Sequence, residues 1–274
     1  MRAGLAVAVI VMVSAALLTA PARAAETEAA GGSTEALAQA AQNPVANLIS
    51  VPFQFNFNFA MGTEDRTQTV LNIQPVIPVH LNPEWNLITR TIVPVIWQPE
   101  IAPGTGSATG LGDTTLSLFL SPAKPKGLIW GAGPALLFPT ATDEVLGTGQ
   151  WGAGPSFVGL KVQGHWVYGA LINNIWSFAG RSDRPSVNMM TLQPFVNYNY
   201  PTGWYLTSAP ILTANWEAES GQKWTVPVGA GVGKIFTIAK QPVNASLAGY
   251  YNVEHPGLAA NWQLRFQVQL LFPR

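Results

Sequence analysis

Val51-Pro52-Phe53-Gln54-Phe55-Asn56-Phe57-Asn58-Phe59-Ala60 sets the plan of the chain. Side chains of an extended strand alternate faces with period two. Val51, Phe53, Phe55, Phe57 and Phe59 therefore share one face, and Gln54, Asn56 and Asn58 share the other. A helix would scatter the same phenylalanines around its circumference. Large aromatics on one side and uncharged amides on the other describe a strand with lipid outside and a polar lumen inside.

Composition agrees with that strand. Only 10% of the 274 residues are charged, while 48% are apolar. Ordinary soluble proteins carry roughly 25% charge. The shortage is one of charge, with 10 Trp, 12 Phe and 6 Tyr in its place. A formal net charge of zero and the lack of a basic stripe argue against a nucleic-acid partner. There are no cysteines, which excludes disulfides and thiolate metal sites.

Arg2, the apolar run from Leu5 to Ala20 and Ala22-Arg23-Ala24 have the three parts of an export signal, with cleavage expected after Ala24. Residues 25–47 form a tail. Within it, Ser33 to Gln42 has strong helix formers behind a Ser33 or Thr34 cap, and Asn43-Pro44 stops it. The tail is either a helix tucked into a barrel mouth or a periplasmic lead-in. The remaining 48–274 is read as the barrel.

From Leu48 onward the segments keep alternating. Leu71, Ile73, Ile77 and Val79 oppose Asn72 and Gln74, while Leu192, Val196 and Tyr198 oppose Gln193 and Asn197. In the last segment Trp262, Leu264, Phe266, Val268 and Leu270 oppose Gln263, Arg265, Gln267 and Gln269. About twelve segments of spanning length result, an even number that lets the first and last strands pair. The expected fold is all-β, an antiparallel transmembrane β-barrel of about 12 strands. Connections alternate between longer ones, such as 98–109, 139–150 and 179–186, and short ones, such as 163–165 and 201–203. Pro75, Pro94, Pro134, Pro194 and Pro210 fall inside expected strands, where each lacks a ladder donor.

A soluble sandwich or a soluble lipid-binding barrel also alternates apolar and polar positions. The polar face here is Asn, Gln, Ser, Thr and Gly where a soluble surface would show Lys and Glu, and tryptophans recur near strand ends. Both features favour the membrane barrel.

No motif for catalysis stands out. There is no G-x-S-x-G, and His80, His165 and His255 sit in separate connections. Gly229 to Lys234 mimics a phosphate loop but lacks its spacing and following hydroxyl. The expectation is a protein that is not an enzyme and uses no cofactor and no metal. Charges inside strands carry more information, because a lipid-facing Arg at mid-membrane costs about 2–4 kcal/mol. Arg90, Lys161, Lys234 and Arg265 are candidates to point inward, with Asp113 close to a strand start, and that cost places Arg90 and Arg265 toward the lumen. The candidate lumen-lining set is Arg90, Asp113, Lys161, Arg265, Gln54, Asn56, Asn58, Gln263 and Gln267. These charges either line a permeation path or fill the interior by pairing with Asp113 or an N-terminal plug.

Asn43-Pro44-Val45-Ala46, Gly110-Leu111-Gly112-Asp113, Gly152-Ala153-Gly154-Pro155 and the ending Gln267-Val268-Gln269-Leu270-Leu271-Phe272-Pro273-Arg274 carry a resemblance. From Asn43 onward the chain resembles a family of bacterial outer-membrane barrels named after the meta-cleavage pathway of phenol degradation, often labelled "transporter" or "neuromedin U". The resemblance implies an outer-membrane location and passage of hydrophobic or aromatic compounds. Phe272 is followed by Pro273 and Arg274, where outer-membrane proteins commonly end on an aromatic residue. The reading that follows is a passive channel for small solutes. Its partners are outer-membrane lipids, lipopolysaccharide and the barrel-assembly machinery. A structural barrel or envelope-lipid enzyme, and a secreted lipid carrier, are the alternatives.

Overall fold

The computed structural model describes residues 34–273. The export signal expected over 1–24 and the start of the tail lie outside the described residues. The remainder of the tail contains helix α1 (Thr34–Ala41), one residue shorter at each end than the Ser33 to Gln42 stretch and in the same place.

Fifteen strand segments build twelve staves, because three staves are each broken once. In chain order they are β1 (Ile49–Met61), β2 (Arg66–Ile73) continued by β3 (Val76–His80), and β4 (Trp85–Gln98). Next come β5 (Ala108–Leu111) continued by β6 (Thr114–Pro122), β7 (Ile129–Phe138), β8 (Gln150–Gln163) and β9 (Trp166–Gly180). The circuit ends with β10 (Asn188–Asn199), β11 (Trp204–Ser208) continued by β12 (Leu212–Asn215), β13 (Trp224–Ile238), β14 (Gln241–Glu254) and β15 (Trp262–Phe272). Every stave pairs antiparallel with its sequence neighbours, and β1 pairs with β15 from Ile49↔Phe272 to Phe59↔Trp262. That last pairing closes the sheet and removes both edges.

The prolines explain the breaks. Gln74-Pro75 separates β2 from β3, and Ala209-Pro210-Ile211 separates β11 from β12. Prolines of neighbouring staves collect beside these breaks, where few ladder bonds are lost. Pro194 lies between the β10 residues that pair with Ser208 and with Leu212, beside Pro210. Pro134 pairs directly with Pro155, so two residues without N–H groups face each other. The third break, Gly112-Asp113, lies beside Pro94, whose carbonyl accepts from the Gly112 N–H at 2.9 Å.

One end of the barrel carries the short turns at 164–165 and 200–203 together with α1; the other carries the longer loops. Outward aromatics ring both ends. Trp85 and Trp130 meet edge to face at the turn end (6.0 Å), and Trp216 and Trp224 do so at the loop end (5.5 Å). Phe59 stacks on Trp262 at 4.0 Å across the closing seam. Between the rings the outward face is apolar, with Phe157, Ile172, Val196, Val232 and Phe266 exposed.

The interior departs from the expected polar lumen. On the arc from β3 to β10 it is an apolar core. Val76, Ile88, Phe119, Val158, Leu160, Val167, Leu171 and Phe195 pack together there with Val45 from the segment after α1. The remaining arc, β11 to β2, is mainly polar, and Arg90 on β4 with Gln193 and Asn197 on β10 extend the polar lining onto the flanks of the apolar cluster. The lumen thus holds a packed apolar cluster on one side and open space with a largely polar lining on the other.

Candidate functional site

The polar sector starts from the alternation of β1 and β15. Their register sets Asn56 opposite Arg265, Asn58 opposite Gln263 and Gln54 opposite Gln267. All six side chains point inward by parity. Arg265 is only 8% exposed, and each of its three guanidinium nitrogens donates a hydrogen bond. Nε donates to Asn56 Oδ1 (3.2 Å), Nη2 to Gln263 Oε1 (3.0 Å) and Nη1 to the Ala209 carbonyl (2.8 Å). The Tyr250 ring covers it at 4.7 Å. Ala209 sits in the proline break between β11 and β12, so its carbonyl is released from the ladder and available to an arginine across the lumen. Such partners are what a buried guanidinium requires.

From Arg265 a directed chain of amides runs around the wall. Gln263 Nε2 donates to Asn58 Oδ1 (2.7 Å), and Asn58 Nδ2 donates to Gln68 Oε1 (2.7 Å). Gln68 donates on to Gln98, and Gln98 to the Pro99 carbonyl (3.0 Å). Each amide accepts from one neighbour and donates to the next, which polarises the chain away from the arginine. Below it, Gln54 Nε2 donates to Asn56 Oδ1 (3.1 Å).

Two cavities meet at this waist. One, of about 180 Å³, lies toward α1 and is lined by Gln54, Gln74, Arg90, Phe195, Tyr205, Asn244, Tyr250, Arg265 and Gln267, among others. The second, of about 350 Å³, lies toward the loops and is lined by Gln54, Asn56, Asn58, Gln68, Asn252, Gln263 and Arg265, among others. Gln54 and Arg265 belong to both.

Helix α1 is held at the turn end. Ala38 of α1 is 1% exposed and packs with Ala46, Leu48, Ile235 and Leu271. Gln39 Nε2 donates to the Gly164 carbonyl (2.8 Å), and Gln42 exchanges hydrogen bonds with Asn199 (2.8 and 3.1 Å). Glu35 pairs with His165 Nδ1 at 2.6 Å. The helix alternative for the tail is the one observed, and it is seated at the mouth where the short turns lie.

The other expected lumen residues divide. Arg90 faces inward and donates through Nη2 to Gln74 Oε1 (2.7 Å). Neither Arg90 nor Arg265 pairs with Asp113. Asp113 is a loop clamp at the β5–β6 break: its carboxylate accepts from the Ala141 N–H (3.2 Å), the Thr148 N–H (2.6 Å) and the Thr148 hydroxyl (2.7 Å). It lines neither cavity. Lys161 and Lys234 are corrections. Lys161 shares the outward parity of Phe157 and is exposed, and Lys234 lies outward over the Trp204 ring at 4.9 Å. Both lie near the turn end, where a long lysine reaches the interfacial water without crossing the apolar band.

Residues missed in the sequence include Tyr205, Tyr250 and Asn244. Tyr205 donates to Asn244 Oδ1 at 2.7 Å, and Asn244 Nδ2 donates to Gln269 Oε1 at 3.0 Å. The signal for Tyr250 was its neighbour: Tyr251 is outward and 60% exposed, so the adjacent residue must face in.

No family model matches the chain, and no curated relative does. The name of the phenol meta-pathway family is therefore not confirmed by them. Solved structures do match. An outer membrane channel from Pseudomonas putida F1 is 20% identical, with 82% of this chain and 94% of that chain covered and a TM-score of 0.63. NanC porin is 9% identical, with 82% and 100% covered and a TM-score of 0.50. These likenesses show the fold, that of outer-membrane barrels. The matches also include outer membrane phospholipase A from Escherichia coli, 14% identical, with 90% and 99% covered and a TM-score of 0.46. The expectation that the chain is not an enzyme is corrected: a fold does not fix function, so the barrel gives no ground for excluding catalysis.

Proposed function

We propose that the chain is an outer-membrane channel for small solutes, with its turn end in the periplasm and its loop end outside. The observation that carries this reading is the pair of polar cavities meeting at Arg265, in line along the barrel and closed toward the periplasm by α1. The aromatic rings around both ends support seating among outer-membrane lipids and lipopolysaccharide, and with it delivery by the barrel-assembly machinery. Rings in the lumen from Phe195, Tyr205 and Tyr250 give apolar or aromatic solutes something to slide along. The resemblance to the phenol meta-pathway barrels and the likeness to the Pseudomonas putida channel point the same way.

Conductance of refolded protein in a planar bilayer tests it. Deleting residues 25–47 should raise single-channel conductance, because the stopper is removed, and Arg265→Ala should join the two cavities and raise it as well. Heat-modifiable barrels that pass no current in the wild type or either variant would overturn the channel reading.

A further inference from the structure

We propose that the cavity on the helix side of the waist is a binding site for small organic carboxylates with an apolar body, a reading of substrate class that rests on the channel function proposed above. Two cations, Arg90 and Arg265, line this one cavity, and no Asp or Glu lines it or its neighbour. Among the described residues no salt bridge engages either arginine. Their hydrogen-bond acceptors are neutral amides and a backbone carbonyl. The field in the polar sector is therefore uncompensated and positive, and low-dielectric walls strengthen it.

The two arginines are not equivalent. Arg265 uses Nε, Nη1 and Nη2, and a ring covers it. It is held as a fixed positive wall. Arg90 makes a single side-chain hydrogen bond, through Nη2 to Gln74. A guanidinium has five N–H donors in a planar fork that matches a carboxylate. Arg90 thus keeps a free edge toward the cavity, and Gln74 is a neutral partner that a charged oxygen would outcompete.

The rest of the wall sets the body of the ligand. Leu171 and Phe195 of the apolar sector line the same cavity, facing the polar arc. A solute held there meets a cation on one side and a hydrocarbon surface on the other. Inorganic anions would use only the first. About 180 Å³ of open space suits a ligand of roughly benzene size, since an apolar protein cavity of about 150 Å³ binds benzene.

Equilibrium dialysis of radiolabelled benzoate against the full chain folded in detergent tests the site, with benzamide as the neutral isostere. Heat-modifiable migration checks each variant's fold. Wild type should bind benzoate saturably and benzamide far more weakly. Arg90→Gln should weaken benzoate by about tenfold or more, as loss of a charge-assisted pair predicts. The outward Lys161→Gln should bind as wild type does. Equal binding of benzoate and benzamide, or an Arg90→Gln protein that binds benzoate like wild type, would overturn the proposal. Arg265→Gln is informative where it folds, and Arg90→Gln carries the test where it does not. Conductance separates the two readings. Charge-selective benzoate binding with no current in any variant keeps the site and removes the channel. Current without benzoate preference keeps the channel and removes the site.

Discussion

Tyr205 occupies the lumen because its neighbour on β13 has no side chain. Tyr205 pairs with Gly233, and a Cβ built at Gly233 would stand 2.2 Å from the Tyr205 ring carbon that bears the hydroxyl. The glycine lets the ring lie against the wall, and that posture brings the hydroxyl to Asn244. Arg265 depends on its surroundings in the same way: the waist exists because a proline break frees one carbonyl opposite it. Gly233→Val should therefore destabilise the barrel by about 1–3 kcal/mol through overpacking, beyond any loss of the Tyr205–Asn244 bond. Gly249 lies on the adjacent stave with nothing within 4 Å of its would-be Cβ, so Gly249→Ala should be tolerated. Unfolding by guanidinium, followed by tryptophan fluorescence, compares the two. Equal midpoints would show that Gly233 is not the space that Tyr205 needs.

At the scale of elements, two loops at the open end are fastened to each other. Arg181, just after β9, donates to Asp183 (3.0 and 2.5 Å) and also pairs with Glu144 in the 3-10 turn between β7 and β8. Arg184 donates to the Gly147 carbonyl and, at 2.7 Å, to the Glu144 carbonyl in the same turn. That turn buries Leu146, and Asp113 clamps its flanks. The hydrogen bond from Arg181 holds the Asp183 carboxyl at about 2, below its ordinary 3.8. A depressed carboxylate stabilises the fold above its unfolded value and loses that contribution as pH falls through its folded value. The Arg181–Asp183 pair within its own loop should thus be intact above about pH 4 and released as pH drops toward 2, while the bonds from Arg184 to the backbone carbonyls of the other loop do not titrate. Carbon NMR of the Asp183 carboxyl in micelles reads the titration directly. Arg181→Gln should return Asp183 toward the ordinary aspartate range, and a midpoint that stays near 2 in that variant would assign the shift to another cause.

For the whole molecule, closure is the property that the first and last strands already announced. Val51 to Ala60 and Trp262 to Leu270 have unambiguous parity, since one face is amide and the other aromatic or branched, and they prove to be partners in register. The connections could be placed for a similar reason, because turn residues punctuate apolar runs. Parity fails where both faces are apolar. Around Phe157-Val158 and Trp166-Val167 one residue of each pair faces out and the other packs in the lumen. The apolar sector was thereby invisible, and with it the division of the lumen. Lys161 and Lys234 show that a charge inside a strand need not face inward when it lies near an interface. The closing seam tests the architecture most directly. β15 is paired over eleven residues with β1 and over nine with β14. A chain ending at Asn261 would leave both partners with open ladders, and each unpaired backbone group in hydrocarbon costs several kcal/mol. Direct re-pairing of β1 with β14 would preserve the ladder but give an odd number of staves, forcing β14 to run parallel to β1. The truncated chain should therefore give no heat-modifiable band after refolding in detergent or lipid, while the full chain does. A compact, heat-modifiable truncated barrel would show that the sheet closes without the β1–β15 seam.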